Sequence, residues 1–326
     1  TNIIGVPEQE VLSGDFPTVA SPNPEEPSAM AMAIEKAKET GAEVVMASDP
    51  DADRIGLVIR DNNGEYVLIN GNQIVMIFLN YLMTRNTELG TLTGNEYIVK
   101  TIVTTETIRT IAEAQHIKMY DCFTGFKWIA NVMRENEGKA RYLGGGEESY
   151  GFLAEDFVRD KDSVSAISLM AEIAAWAKDK GLNMTDMLID IYMKYGFSRE
   201  KGISLVRKGK SGAEEIIALM KQFRENPPKE IAGSPVVTVK DFQSLVETNV
   251  ATGETKKLDM PATSNVLQYY TADRTKVSVR PSGTEPKIKF YIEVHDTLAS
   301  ADEYKATEAR ADEKINRIAK EFGITK

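Results

Sequence analysis

Residues 95–149 read NEYIVKTIVTTETIRTIAEAQHIKMYDCFTGFKWIANVMRENEGKARYLGGGEES. NEYIVKTIVTT predicts a strand ending in threonines, TIRTIAEAQH a helix and KMYDCF a second strand. GFKWIANVMRENEG predicts a second helix, and ARYLGGGEES a third strand running into a glycine-rich loop. Strand and helix alternate, which is the pattern of an α/β fold with crossover connections. Asn72–Arg85 predicts the helix that precedes this run. After it, DKDSVSAISLMAEIAAWAKDKG predicts a long helix whose first turn Asp162 or Ser163 can cap, and LNMTDMLIDIYMKYG closes the domain near Gly196.

Upstream, Glu25–Thr40 predicts a helix with Pro27 placed early, where its missing N–H is harmless, and Gly41 as a stop. AEVVMA, residues 42–47, is an apolar run fit for a buried parallel strand. IGLVIRD and EYVLI are further strands around the turn Asn62–Gly64. One helix and two or three strands do not complete a doubly wound sheet, so an α/β domain shortened at its front is expected over 1–68, and a complete one over 69–196. From Phe197 the pattern turns to strands in hairpins with a few helices. An α+β domain with a mixed or antiparallel sheet is expected over 197–326. In KIKFYIEV, Ile288, Phe290, Ile292 and Val294 share one face, with Lys287, Lys289, Tyr291 and Glu293 on the other.

The chain has 326 residues, a formal net charge of −10 and one cysteine, Cys122. An intramolecular disulfide is excluded, and a cytoplasmic enzyme is expected. No basic stripe with interleaved aromatics suits nucleic acid. No apolar run approaches the ~18 residues that a membrane span needs, and no secretory leader is expected. The two histidines, His116 and His295, have no second histidine or cysteine pair nearby, which argues against zinc. His116 ends a helix and Cys122 sits in a strand, and both are read as structural.

Three loops carry chemistry. In ASDPDADR, Asp49, Asp51 and Asp53 are spaced by two after a predicted strand. Three carboxylates so close repel one another unless a cation lies among them, and an all-oxygen set suits Mg²⁺. A calcium EF-hand fails, because Arg54 stands where that loop needs Gly and Arg60 where it needs Glu. A solvated acidic turn is the alternative. The adjoining Arg54 suits a phosphate beside the metal and is a candidate catalytic residue. In GGGEESYGF, residues 144–152, glycines let backbone approach a ligand, and Glu147 and Ser149 offer groups for sugar hydroxyls; a flexible acidic hairpin tip is the alternative. In RPSGTEP, residues 280–286, Arg280, Ser282, Gly283 and Thr284 can surround a phosphate, and an ordinary turn is the alternative.

Taken together and in this order, these loops resemble the α-D-phosphohexomutase superfamily, most closely its phosphoglucomutase branch, over nearly the whole chain. The resemblance implies that Asp49, Asp51 and Asp53 bind Mg²⁺, that Glu147 and Ser149 bind hexose hydroxyls, and that Arg280, Ser282, Gly283 and Thr284 hold a phosphate. TGFKWI is similar to the family segment whose lysine, here Lys127, reaches the phosphosugar as a clamp or an acid. RDKD, residues 159–162, is similar to a family stretch behind the sugar loop, without an assigned role. The implied partners are a hexose phosphate and a hexose bisphosphate intermediate, with no nucleic acid and no membrane.

Family members carry a phosphorylated serine in a Ser-His-Asn-Pro context ahead of the metal loop. SPNP, residues 21–24, has Pro22 in place of the histidine, and Ser21 is not read as the phosphoryl carrier. The chain begins at Thr1, as expected of a processed or shortened chain that starts inside the family's second domain, lacks the preceding N-terminal domains and is inactive alone. GEESYG leans toward glucose. A phosphomannomutase, a phosphopentomutase and a non-catalytic sugar-phosphate binder are the rival readings.

Overall fold

The computed structural model describes residues 2–207, 209–283 and 285–324. It divides into two compact units, Thr1–Tyr195 and Gly196–Lys326. Among the described residues no helix is long and apolar enough to cross a membrane.

The first unit opens with helix α1 (Pro27–Thr40), started by its proline and stopped by Gly41 at φ 72°. It packs on a three-stranded sheet of β1 (Val44–Ser48), β2 (Ile55–Arg60) and β3 (Tyr66–Ile69). Met30 and Ala37 of α1 meet Val45 and Val58 there. All three strands run antiparallel, so the parallel strand expected at 42–47 is corrected: β1 and β2 form a hairpin, with Ser48 opposite Ile55. An apolar run is compatible with either direction, and the short connection through residues 49–54 allows only the antiparallel one.

Next comes α2 (Gly71–Leu89), whose capping box pairs Asn70 and Gln73 reciprocally. Then β4 (Glu96–Thr101), α3 (Thr107–Ala114), β5 (Lys118–Cys122), α4 (Phe126–Asn136) and β6 (Arg141–Gly146) follow in the predicted alternation. His116, just past α3, takes a left-handed turn at φ 57°. A short antiparallel strand, β7 (Phe152–Ala154), closes the sheet in the order β5-β4-β6-β7, with β5, β4 and β6 parallel. Helix α5 (Ser163–Asp179), capped by Asp162 through the amides of Val164 and Ser165, and α6 (Met184–Tyr195) complete the unit.

Phe126, Ile129, Val132 and Met133 of α4 bury one face of this sheet against Tyr97, Val99, Tyr142 and Leu153, with Cys122 among them. Burial pushes the Cys122 thiol far up, which fits a core residue. The other face meets α2, with Phe78 stacked on Phe152 at 4.3 Å.

The glycines of GGG belong to buried β6, where they serve packing, rather than to a loop over a ligand. A Cβ at Gly146 would lie 2.7 Å from Val75 Cγ2, and one at Gly145 2.7 Å from both Tyr142 Oη and the Val99 carbonyl. Gly145→Ala is therefore expected to cost about 1–3 kcal/mol by overpacking, read as a lower urea midpoint at unchanged slope.

The second unit is a sheet built entirely of antiparallel pairs. Its path is β12 (Thr255–Lys257), β11 (Val246–Asn249), β10 (Ser234–Asp241), β13 (Leu267–Thr271), β14 (Lys276–Pro281), β15 (Lys287–Asp296), β8 (Phe197–Val206), with β9 (Glu230–Ile231) on β10. Helices α7 (Gly209–Glu225) and α8 (Tyr304–Glu321) pack on it. Ile288, Phe290, Ile292 and Val294 are buried as their alternation predicts. Glu293, expected on the polar face, is also only 2% exposed. Its carboxylate lies 2.8 Å from buried Lys276 and 3.0 Å from His295, which satisfies charges that would otherwise be costly inside.

Candidate metal and sugar-phosphate site

The parallel strands β5, β4 and β6 fix where a ligand can enter. The chain leaves β4 toward β5 on one side and returns to β6 on the other. In open α/β sheets the crevice at such a reversal, beyond the carboxyl ends of the strands, receives the ligand. Here it lies between the turn after β4, residues 102–106, and the loop after β6, residues 147–151. The sugar loop read from sequence is the second wall of that crevice.

The metal loop is the β1–β2 hairpin turn. Asp49 Oδ1 accepts from the amides of Asp53 (3.0 Å) and Arg54 (2.9 Å), and the Ala52 amide donates to the Asp49 carbonyl at 3.1 Å. Ala52 adopts the left-handed region at φ 58° to let the turn close. The closure gathers Asp49, Asp51 and Asp53 so that one ligand atom from each lies within 4.8 Å of the others. Burial raises the Asp49 carboxyl, although the two amides pull it down; Asp51 and Asp53 beside it add to the rise.

The loop is held against the sugar loop. Tyr150, in the left-handed region at φ 70°, accepts from the Ile55 amide at 3.1 Å, and the Ser163 amide donates to the Ala52 carbonyl at 2.9 Å. Lys161 joins the two chemically: its ammonium lies 3.1 Å from Asp53 Oδ2 and 2.9 Å from Glu147 Oε1. Glu147 is only 4% exposed. Arg54 donates to Glu25 at 2.8 Å, and its Nε lies 3.8 Å from Asp49 and 3.7 Å from Asp53.

This donor set fits a hard divalent cation. The aspartate trio is all oxygen, the carboxylates in and around it (Asp49, Asp51 and Asp53, with Glu25 and Glu147 beside them) outnumber Arg54 and Lys161, and the buried Asp53 Oδ1 accepts no hydrogen bond.

Of the sequence-predicted residues, Asp49, Asp51, Asp53, Arg54 and Glu147 converge, and half-buried Ser149 lies on the same loop as Glu147. Lys127 stands exposed in the first turn of α4, at the same end of the sheet. Its ammonium is 5.7 Å from the Trp128 ring centroid, and among the described residues it pairs with no carboxylate of the site.

Arg280, Ser282 and Gly283 lie in the second unit, at the β14–β15 hairpin. The Ser282 amide closes the turn on the Lys287 carbonyl at 2.7 Å, and Ser282 Oγ accepts from the Glu285 amide at 3.4 Å. Thr284 falls outside the described residues. Sequence reasoning missed Lys161 as a site residue. The RDKD stretch was its only signal, and that stretch also supplies the Asp162 cap.

Three family models match the chain. They are phosphoglucomutase/phosphomannomutase alpha/beta/alpha domain II over residues 1–64, alpha/beta/alpha domain III over 70–195, and the C-terminal domain over 245–311. Among curated relatives, a phosphoglucomutase of Staphylococcus haemolyticus is 34% identical over 90% of this chain and 53% of its own length. One of Staphylococcus epidermidis is 37% identical over 85% of this chain and 50% of its own. The chain thus spans about half the length of the curated relatives it matches. Solved structures share the fold, among them the following two. Parafusin (pp63) from Paramecium has a TM-score of 0.61 at 18% identity, covering 94% of this chain and 52% of that one. A phosphoglucomutase/phosphomannomutase family protein from Burkholderia thailandensis has 0.60 at 20%, covering 96% and 54%.

Proposed function

We propose, since this chain belongs to the phosphoglucomutase/phosphomannomutase family, that it forms the metal-binding and sugar-phosphate-binding part of a cytoplasmic phosphoglucomutase. That enzyme interconverts glucose 1-phosphate and glucose 6-phosphate through a phosphoserine and a bisphosphorylated sugar. Residues 1–68 are then the end of its second domain, 69–196 its third and 197–326 its fourth. The observation that carries the reading is the ammonium of Lys161 set between Asp53 of the metal loop and Glu147 of the sugar loop. That contact brings an acidic trio and a hydroxyl-binding carboxylate to one place.

Asp49, Asp51 and Asp53 would hold Mg²⁺, which when bound neutralises charge on a transferring phosphoryl group. Arg54 places a guanidinium beside the same trio. Glu147 and Ser149 take hexose hydroxyls, and must do so in both orientations of the sugar. Lys127 reaches the phosphosugar from the start of α4. Arg280, Ser282, Gly283 and Thr284 hold the phosphate that is not reacting.

The test is a titration of glucose 1-phosphate against this chain in Mg²⁺, with mannose and ribose 1-phosphates alongside, and a turnover assay primed with glucose 1,6-bisphosphate. Saturable binding that chelation removes, strongest for glucose and without turnover, is expected. Absence of binding to any of the three sugars overturns the reading, and turnover abolished by Ser21→Ala overturns the exclusion of Ser21.

A further inference from the structure

We infer that Glu148 is a positioning residue of the sugar loop: it is anchored by the hydroxyls of Thr101 and Thr104 across the β4–β6 crevice, on a turn fastened by buried Lys100, and it sets the placement of Glu147 and Ser149. The inference rests on the sugar-phosphate reading above and deepens it.

Glu148 Oε2 accepts from Thr101 Oγ1 at 3.0 Å and from Thr104 Oγ1 at 3.3 Å, and the two hydroxyls are 2.9 Å apart. Both threonines are fully buried, so this carboxylate oxygen is held on the protein side of the crevice. The turn that carries the threonines is itself fixed. Lys100, with no exposure, donates to the carbonyls of Thr101 (3.4 Å) and Thr104 (3.3 Å) and pairs with Glu106 at 3.0 Å and Asp121 at 2.9 Å. Arg109 pairs with the same two carboxylates. A lysine buried in such a set is a costly way to gain stability, and its best-attested use is to specify one geometry. The turn is also tied to α2, where Asn72 Oδ1 accepts from the Thr105 amide at 2.9 Å.

The backbone of Glu148 is gripped from the other side. Gly71, the first residue of α2, lies so close that a Cβ there would be 2.0 Å from the Glu148 carbonyl oxygen. The middle of the loop is thus clamped at side chain and backbone. Its neighbour Glu147 is held by Lys161. Binding hydroxyls on a loop fixed in advance avoids the ordering cost that a mobile loop would add. The glutamate that follows Glu147 in GEES therefore acts through its neighbours.

The experiment titrates the 326-residue chain with Mg²⁺ alone, and with glucose 1-phosphate in saturating Mg²⁺. In Thr101→Val/Thr104→Val, which removes both donors at nearly constant volume, glucose 1-phosphate binding is expected to weaken about tenfold. Mg²⁺ affinity should stay within twofold, and amide exchange of residues 147–151 should quicken. Adding Glu148→Met to that variant, apolar against apolar, restores affinity to within about threefold, whereas Glu148→Met alone does not reach it. Should the double variant not fold, Thr104→Val alone is read by the same titrations, with about a threefold loss.

Sugar-phosphate affinity within twofold of the unaltered chain, or an equal loss of Mg²⁺ and sugar phosphate, overturns the inference alone. Failure of the unaltered chain to bind glucose 1-phosphate overturns the functional reading, and the inference with it.

Discussion

In thermal melts, the unaltered chain is expected to gain several degrees on adding Mg²⁺, and Asp51→Asn only about one degree. At a Mg²⁺ concentration one hundred times the dissociation constant, binding adds about 2.7 kcal/mol to the folded state. Of the three aspartates, Asp51 is the exposed one, and nothing in the turn's closure depends on its side chain. Replacing it removes one of three charges from the donor set, which should weaken Mg²⁺ on the order of a hundredfold. The metal-free chain should be unchanged to within about 0.5 kcal/mol, as for an exposed substitution, because loss of a like charge offsets any small cost. Asp49→Ala should behave differently. Asp49 Oδ1 holds the amides of Asp53 and Arg54, so that variant is less stable even without metal, by about 2 kcal/mol. An Asp51→Asn chain that still gains the full Mg²⁺ shift would sink the assignment of the trio as a metal site.

Much of the site is local in sequence, and that part was legible. Asp49, Asp51 and Asp53 lie on one turn, and Glu147 and Ser149 on one loop, so spacing alone groups each set. The run from β4 to β6 was also legible, because each element carries its own periodicity and length. What escaped is long-range. Lys161 meets partners at Asp53 and Glu147, and in the charged run RDKD it looks like any solvated lysine. Lys100 sits alone in an apolar strand with nothing local to announce its pairs with Glu106 and Asp121. Strand direction was misread at β1 because an apolar run reports burial and says nothing of pairing. Strand β7 was missed because three residues after a glycine-rich loop are too few for alternation to register. The glycines of GGG were placed over a ligand, but the close approach they serve is to Val75, Tyr142 and Val99.

Lys161→Met should be strongly destabilising, because it releases two carboxylates at once. Glu147 is 6% exposed at its side chain and Asp53 28%, and both share this ammonium. Breaking a buried pair by removing one partner costs about 3–5 kcal/mol, and the partial exposure of Asp53 places the expected loss near the lower figure. For a unit of this size that lowers the melting temperature by about 2–4 °C per kcal/mol.

The pH dependence has a definite sign. Burial opposes the charged ammonium, but Glu147 and Asp53 outweigh it, so the Lys161 pKa is raised in the folded state. A raised pKa means that the stabilisation is complete below the unfolded lysine value of about 10.4. It is lost as pH rises through the folded value, so the gap between the unaltered chain and Lys161→Met should be level through neutral pH and narrow in strong alkali. Lys161→Arg, which keeps the charge, should recover most of it.

Ligand binding separates this lysine from the Glu148 clamp. Lys161 touches both loops, so Lys161→Met alters Mg²⁺ and glucose 1-phosphate binding together, whereas the threonine variants weaken only the sugar phosphate. A Lys161→Met chain that melts with the unaltered one and binds both ligands normally would show that the ammonium does not join the two loops in solution.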